Sequence, residues 1–304
     1  MRELLNQTLH EFRATDGVER PLMTLAGELH AARQASTEEE WRGWIGGELR
    51  PHPLYPVLLE DPFVRHSAVR PRGYPGDADL IDYIYGVNEV EPRVASASEL
   101  GRRLYRFSTS TPAPAAVRHR LAITAAEIER LAADGARPHV LSIACGHLRE
   151  SRLLPSLREG RLGRFVALDQ DPLSVEQVRS ECGGLGVEAY QCSARRLIRG
   201  GCGGQFDFIY ALGLYDYLFD GTGRQLLAAA VDLLKPGGKV WIANFVEDLW
   251  STAYMEAVMD WWLIYRSEDR LRRLAEGLDD AKVAARRVFR EPENNVAFLE
   301  VVRG

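Results

Sequence analysis

Two strand ends hold the residues whose types and spacing could do chemistry in this sequence. The apolar run His139–Ile143 leads through Ala144 and Cys145 to Gly146 and then into residues that favour helix, which predicts a buried strand, a tight turn and a helix start. A second apolar run ends in Asp169, 23 residues after Gly146. A carboxylate at about this offset binds the two ribose hydroxyls of a nucleotide in many α/β folds. Together the two strand ends predict a site for an adenosine-type ligand.

The residue types at the first turn narrow the choice of ligand. The dinucleotide fingerprint GxGxxG is missing, because its three positions are Ala144, Gly146 and Arg149. A pyrophosphate needs the close approach that these glycines allow, so a dinucleotide is disfavoured, whereas a ligand with an amino-acid tail demands less of the loop. Asp169 could instead cap the following helix, although Asp171 is better placed to do so.

Strand and helix patterns alternate through the second half of the chain, which is typical of a largely parallel sheet. The last two strands are separated only by residues 290–295, so they should pair antiparallel as a hairpin. We predict strands at 139–144, 164–169, 187–191, 206–212, 239–245, 283–289 and 296–302, and helices at about 148–158, 172–182, 223–235 and 268–277.

The first part of the chain reads as helices, and we expect residues 1–115 to form a helical cap or lid and residues 116–304 to form the sheet domain. Thr37 followed by three glutamates predicts a helix start. Residues 93–115 have the Ser, Thr and Pro clusters of a connector. The segment from Arg72 to Asp77 interrupts the helical pattern with a specified turn. Its side chains could face a ligand, or Asp77 could simply cap a helix over 78–85.

Composition limits the function classes. The chain has 304 residues and a net charge of −5 without a basic tract, so nucleic acid is a poor candidate partner. It has no run of about 18 apolar residues, so we expect no membrane span, and the acids near its start do not fit a secretory segment. No two cysteines have CxxC spacing, which predicts neither a metal site nor a redox dithiol and favours a reduced, cytoplasmic protein. The pattern indicates no oligomeric state. The four cysteines are Cys145, Cys182, Cys192 and Cys202.

From about residue 116 the chain resembles the class I S-adenosylmethionine-dependent methyltransferases. Val140–Leu148 resembles the family's VLDxGxGxG strand and turn, with Ser142 in place of the acid, Ala144 in place of the first glycine and Leu148 in place of the third. Further matches are Phe165–Pro172, Gln191–Ala194, Phe206–Tyr210 and Leu234–Gly238. The resemblance implies S-adenosylmethionine as the cofactor. It also implies a Rossmann-like α/β fold: a seven-stranded, mostly parallel sheet with an antiparallel terminal hairpin, to which the N-terminal helical cap is added.

A narrower resemblance covers more of the chain. The RGYPGD segment Arg72–Asp77, the stretches 211–218 and 260–266, and Asn244-Phe245 resemble a bacterial subgroup similar to the methyltransferases that make 3-hydroxypalmitic acid methyl ester. This resemblance implies a small-molecule substrate, carboxyl O-methylation as one candidate reaction, and an active-site lid around Tyr74 and Asp77.

The expected site residues follow from these resemblances. Cofactor-binding residues are Tyr74, Asp77, Ala144, Cys145, Gly146, Glu150, Asp169, Gln170, Ser193, Ala194 and Ala211. Catalytic or substrate-orienting residues are His147, Tyr215, Asp216, Asn244, Tyr265 and Arg266.

Methyl transfer from a sulfonium needs alignment and exclusion of water, and a general base only when the acceptor must lose a proton. His147 could be that base, or it could only order the helix start. Arg266 could hold an acid substrate bidentately, or it could form a structural salt bridge. Aromatic faces suit the cationic sulfur, and Tyr74, Tyr215, Tyr217, Trp261 and Tyr265 could supply them or belong to the core.

Other functions stay open at the level of sequence. The acceptor could be an amino acid, a peptide or an aromatic metabolite, which would make the reaction N- or O-methylation. A non-catalytic cofactor-binding relative fits the altered first motif, and a nucleotide-dependent oxidoreductase would need a more glycine-rich first turn.

Overall fold

The structure is a computed structural model that describes residues 1–14, 17–201 and 203–304; Cys202, one of the four cysteines, lies outside the described residues. The chain divides into two compact units. One comprises Met1–Ala115 and Asp248–Trp262, the other Ala116–Glu247 and Leu263–Gly304. The sequence did not predict that residues 248–262 join the first unit.

The second unit is built on one seven-stranded sheet with strand order β3-β2-β1-β4-β5-β7-β6. The first five strands are parallel, and β7 runs antiparallel to both of its neighbours, β5 and β6. This arrangement confirms the predicted Rossmann-like sheet and its terminal hairpin. The strands are β1 (His139–Ile143), β2 (Arg164–Asp169), β3 (Val187–Gln191), β4 (Phe206–Ala211), β5 (Leu234–Phe245), β6 (Val283–Arg290) and β7 (Val296–Arg303).

Apolar central strands and a well-specified turn near one end stabilise the sheet. β1 and β2 are buried along nearly their whole length, as central parallel strands must be. In the β6–β7 turn the buried carboxylate of Glu291 accepts the backbone N–H groups of Glu293, Asn295 and Val296. β5 begins five residues earlier than predicted, because Leu234 pairs with Phe206 before the Pro-Gly-Gly turn and the register then shifts.

The helices around the sheet confirm the predicted 172–182 helix and correct the predicted 148–158 helix. That segment is a tight 3₁₀ turn over Arg149–Leu153 followed by a short helix, since Pro155 forces Leu154 into an extended conformation. The long helix Pro112–Leu131 begins in the first unit and continues into this one. The other helices of this unit are Pro155–Arg158, Pro172–Cys182, Ala194–Ile198, Asp220–Asp232 and Glu268–Arg272. Further 3₁₀ turns are Ala133–Gly135, Gly183–Leu185, Tyr215–Tyr217, Arg273–Ala275 and Asp280–Lys282.

The first unit is helical. Thr37 begins a helix as predicted, through a capping box with Glu40. The predicted connector over 93–115 is wrong: Ser98 caps a helix there, and Pro112 begins the next one, so residues typical of loops act as helix-start signals. The helices are Arg2–Ala14, Glu19–Gln34, Glu38–Trp44, Leu54–Leu58, Pro62–Val69, Ala78–Tyr85, Glu91–Ala95, Glu99–Ser110 and Thr252–Ala257, with a π-helical turn Ile45–Leu49 and a 3₁₀ turn Asn88–Val90.

Contacts within the first unit explain why residues 248–262 belong to it. The Ser67 hydroxyl donates to the carbonyl of Met259 at 2.8 Å, and the ring of Trp261 packs edge-on against Phe63. Arg70 donates to the carboxylate of Asp260 at 2.7 Å. In the described parts of both units, no helix is long and apolar enough to cross a membrane.

Asp61 gives the first unit a pH-dependent stability. Its buried carboxylate caps the helix Pro62–Val69 and accepts the Ser108 hydroxyl, and burial raises its pKa from 3.8 to about 7. Between pH 4 and 7 the folded protein therefore keeps the proton of Asp61, whereas the unfolded chain has lost it. The contribution of Asp61 to the free energy of unfolding thus falls as the pH rises from 4, and it is lost as the pH passes through 7.

Asp61→Asn removes this titration while keeping an acceptor at the cap. We compare the free energy of unfolding of the variant with that of the wild type at pH 4 and at pH 8. The difference, variant minus wild type, should rise by about 4 kcal/mol at most between the two pH values, because only the wild type loses stability through this group. Urea denaturation at both pH values measures the difference. Asp280→Asn, at a side chain that is 88% exposed, is the control. An equal pH response of Asp61→Asn and the wild type would contradict the assignment.

Candidate cofactor and active site

The loop after β1 has three residues with left-handed backbone, and only one of them is glycine. Ala144, Gly146 and Leu148 all have positive φ, at 54°, 53° and 50°. This left-handed region costs a residue with a side chain about 1–2 kcal/mol. The Leu148 side chain is fully buried, and the burial helps to offset that cost. The loop therefore has left-handed backbone at 144 and 148 without a glycine at either position.

Asp169, at the end of β2, holds this loop from the side. Its Oδ2 accepts the backbone N–H of Gly146 at 2.8 Å, and its Oδ1 accepts that of Asp171 at 2.9 Å. Burial raises the pKa of Asp169, and the two N–H groups act in the opposite direction. Asp171, and not Asp169, caps the next helix by accepting the N–H of Leu173.

The end of β3 lies next to the end of β2. Gln191 is in register with Asp169, and its side chain donates to the carbonyl of Gln170 at 3.0 Å. The N–H of Cys192 donates to the carbonyl of Asp169 at 2.8 Å, and Ser193 caps the helix that begins at Ala194. Asp169 and the predicted cofactor residues Gln170, Ser193 and Ala194 are therefore neighbours at the carboxyl ends of β2 and β3.

The end of β4 contacts the first loop on its other side. Tyr210 donates its hydroxyl to the carboxylate of Glu150 at 2.5 Å, and both side chains are buried. Burial raises the pKa of Glu150. Ala211 is the buried last residue of β4, and the N–H of Cys145 donates to Leu168 of β2. The structure thus brings the predicted cofactor residues of the second unit together at the carboxyl ends of β1 to β4.

Arg266 is fully buried and uses all five of its N–H donors within the chain. Nε and Nη2 donate to Asp220, Nη1 to the carbonyl of Tyr215 and to Asn244, and Nη2 also to the carbonyl of Leu218. A substrate carboxylate would have to displace one of these partners. The contacts are those of the structural salt bridge that the sequence left as an alternative.

Three other predicted catalytic residues also support the segment after β4. The Tyr215 hydroxyl donates to the carbonyl of Gly223 at 3.3 Å, and burial raises its pKa. Asp216 accepts the N–H of Phe245 at 2.8 Å, and burial raises its pKa to about 6. Asn244 donates to the carbonyls of Phe245 and Ile264, each at 2.8 Å. Their action on a substrate stays a prediction.

His147 and Tyr265 have different surroundings. His147 is buried, and its Nδ1 lies 3.3 Å from Nη2 of Arg149. Tyr265 is half-buried and directly precedes Arg266, and its carbonyl accepts a bond from Arg270.

Tyr74 and Asp77 belong to the first unit. Asp77 caps the helix Ala78–Tyr85 by accepting the N–H of Leu80 at 2.7 Å, and its two oxygens lie 2.9 and 3.0 Å from Nε2 of His66. Tyr74 is half-buried in the preceding turn. Their predicted contact with the cofactor stays a prediction. His66, Asp77 and Asp79 are close enough to hold a metal ion, but Arg72 pairs with Asp79 at 2.9 Å, which opposes a cation there.

The sequence reasoning missed Arg120, a buried residue of the helix Pro112–Leu131 whose Nη1 lies 3.9 Å from Oδ2 of Asp216. Arg120, Thr124 and Glu127 are buried polar residues at helical spacing, beside the buried apolar residues Val117, Leu121, Ala125 and Ile128 of the same helix. That spacing was a usable signal, because a charged side chain almost never lies within a buried face without a partner.

Comparison with known proteins agrees with this geometry. A family model described as a methyltransferase domain matches residues 140–238, about a third of the chain. The chain contains a methyltransferase domain. This finding confirms the enzyme class and the cofactor expected from the sequence, a methyltransferase that uses S-adenosylmethionine. A search of the curated proteins gave no match.

Two solved structures share the fold of this methyltransferase at low sequence identity, and a third aligns less closely. A possible exported protein from Bordetella parapertussis has a TM-score of 0.55 and 16% identity, over 84% of this chain and 98% of its own. A candidate methyltransferase from Thermobifida fusca YX has a TM-score of 0.51 and 14% identity, over 74% and 94%. Magnesium protoporphyrin IX methyltransferase from Synechocystis PCC 6803, solved with bound S-adenosylmethionine, has a TM-score of 0.47 and 13% identity, over 76% and 99%.

We expect Arg266→Met to lower the free energy of unfolding by about 3–5 kcal/mol, since it leaves buried acceptors on Asn244, Tyr215 and Leu218 without their donor. Chemical denaturation measures the loss. The control is Arg270→Met, which also removes a partner of Asp220 but at a side chain that is 34% exposed, and should cost about 1 kcal/mol or less. Equal losses in the two variants would show that Arg266 does not hold this segment.

Proposed function

We propose that this methyltransferase transfers a methyl group from S-adenosylmethionine to the carboxylate of a small acid. A carboxylate oxygen attacks the methyl carbon in line, the carbon–sulfur bond breaks, and its electron pair stays on sulfur. The products are a methyl ester and S-adenosylhomocysteine. The observation that carries the donor side of the proposal is the bond from Gly146 to Asp169, because it fixes a carboxylate beside the first loop.

Asp169 is suited to the ribose of the donor. Each carboxylate oxygen accepts one backbone N–H and has a second lone pair for a ribose hydroxyl. On this proposal Gln170, Ser193 and Ala194 flank the adenosine, whereas Ala144, Cys145, Gly146, Glu150 and Ala211 flank the methionine.

The contacts of His147 favour an acceptor that needs no base. An arginine can only donate, so Nδ1 of His147 accepts the bond from Arg149. With Nδ1 engaged in this way, His147 is poorly placed to take a proton from an acceptor. Tyr215 is equally unsuited, because its hydroxyl already donates to a carbonyl. A carboxylate attacks without losing a proton. A phenol or an ammonium must lose a proton to attack and so needs a base.

The cellular setting is part of the proposal. Cys145, Cys182 and Cys192 are free thiols, which supports a reducing, cytoplasmic location. The acidic net charge of −5 supports a small-molecule substrate over nucleic acid.

Asp169→Ala should weaken binding of S-adenosylhomocysteine about tenfold or more, because hydrogen bonds to a carboxylate are worth about 1.5–3 kcal/mol each. Isothermal titration calorimetry measures the affinity. Asp171→Ser, which keeps a capping side chain two residues away, should bind like the wild type. Unchanged affinity in Asp169→Ala would refute the ribose role.

A panel of fatty, hydroxy and aromatic acids, with phenols and amines beside them, tests the acceptor. With methyl-labelled donor we expect a product that releases labelled methanol in mild alkali, as esters do and ethers and methylamines do not. The rate should stay flat between pH 6 and 9, since the acid is ionised throughout. A labelled product stable to alkali would replace carboxyl methylation by N- or O-methylation of another acceptor.

A further inference from the structure

Arg120 is a buried cation that leaves part of its hydrogen-bonding capacity unused. Its residue is 4% exposed, and among the described residues its Nε and Nη1 have no hydrogen-bond partner. The nearest acid is Asp216, whose Oδ2 is 3.9 Å from Nη1, beyond hydrogen-bond distance. Arg266 in the same unit, by contrast, has a partner for every N–H.

Leaving such donors unsatisfied in the protein interior is costly, and the cost is greater for a charged group. Asp216 balances part of the charge through space, but it does not satisfy the N–H groups. Nε and Nη1 each share an edge of the planar guanidinium with Nη2, and a carboxylate matches such an edge because it accepts two parallel bonds. The side chain is therefore suited to an anionic ligand of this shape.

Arg120 has neighbours that follow both strands bordering the proposed methionine site, β1 and β4. Its charge acts on Glu150 of the first loop, lowering a pKa that burial raises. On the other side is Gly213, two residues after β4. A side chain at 213 would bring its Cβ within 3.3 Å of Nη2 of Arg120. Glycine at this position keeps the guanidinium uncrowded.

We propose that Arg120 binds a carboxylate at the carboxyl ends of β1 and β4. The proposal rests on the methyltransferase function and adds a residue to its site. Two reactants could bring the carboxylate: the amino-acid end of S-adenosylmethionine, or the acid acceptor. The position near Glu150 and Gly213 favours the donor, because Glu150 follows the loop of Gly146 and Gly213 follows β4, the strand that pairs with β1.

The test compares two ligands that differ in this carboxylate. S-adenosylhomocysteine carries the amino-acid end, and 5′-methylthioadenosine lacks it. Calorimetry with both is done on the wild type, Arg120→Met, Arg120→Lys and Gly213→Ala, with thermal melts to confirm folding. If Arg120→Met is unstable, Arg120→Lys serves in its place, because it keeps the positive charge opposite Asp216. Arg130→Met is the matched control, on the same helix at a side chain that is 63% exposed.

We expect Arg120→Met to weaken S-adenosylhomocysteine about tenfold or more and to leave 5′-methylthioadenosine unchanged. Arg120→Lys and Gly213→Ala should show smaller losses of the same selectivity, and Arg130→Met none. If Asp169→Ala weakens both ligands while Arg120→Met weakens neither, the donor site holds and the donor's carboxylate is not bound by Arg120.

The acid acceptor is then the remaining source of the carboxylate that Arg120 binds. Arg120→Met should in that case raise the KM for the acid and leave kcat unchanged. An unchanged KM, or a wild type that methylates no acid, overturns the proposal. Equal weakening of both adenosine ligands also overturns it, because that pattern marks a structural residue.

Discussion

A single buried carboxylate connects the parts of this site. Asp169 at the end of β2 holds the N–H of Gly146 in the loop after β1 and the N–H of Asp171 at the next helix start. The carbonyl of the same residue accepts the N–H of Cys192 after β3. Three strand ends thus meet at one residue. Any ligand bound there contacts a surface whose backbone is already fixed, so less ordering is needed on binding.

This fixation explains how the first loop keeps its shape with few glycines. Ala144 and Leu148 have left-handed backbone that residues with side chains rarely adopt. The Asp169 bond on one side and the burial of Leu148 on the other specify the conformation from outside the loop. Judged by the motif alone, the missing glycines weaken the cofactor assignment. The loop conformation, however, is fixed by contacts with residues outside the loop, which a local motif does not contain.

Much of the fold was predictable, for reasons visible in particular residues. β2, β3 and the helix Pro172–Cys182 have the predicted bounds, because each combines a clear apolar period with a turn or capping residue such as Asp171. The connector predicted over 93–115 was wrong, since Ser98 and Pro112 serve helix starts as readily as loops. The assignment of 248–262 to the first unit depends on contacts such as Ser67 with Met259, which no local pattern encodes.

The side chains of the site were less predictable than its backbone, because residue type does not reveal which donors are in use. Arg266 and Arg120 are both buried arginines beside the segment after β4, yet they differ in what they offer a ligand. Arg266 has each N–H bound to Asp220, Asn244 or a main-chain carbonyl, so it fixes the protein itself. Arg120 has a charge partner in Asp216 without the hydrogen bonds that a guanidinium requires in the interior. The resemblance pointed to the first arginine, whereas the chemistry of carboxylate binding fits the second.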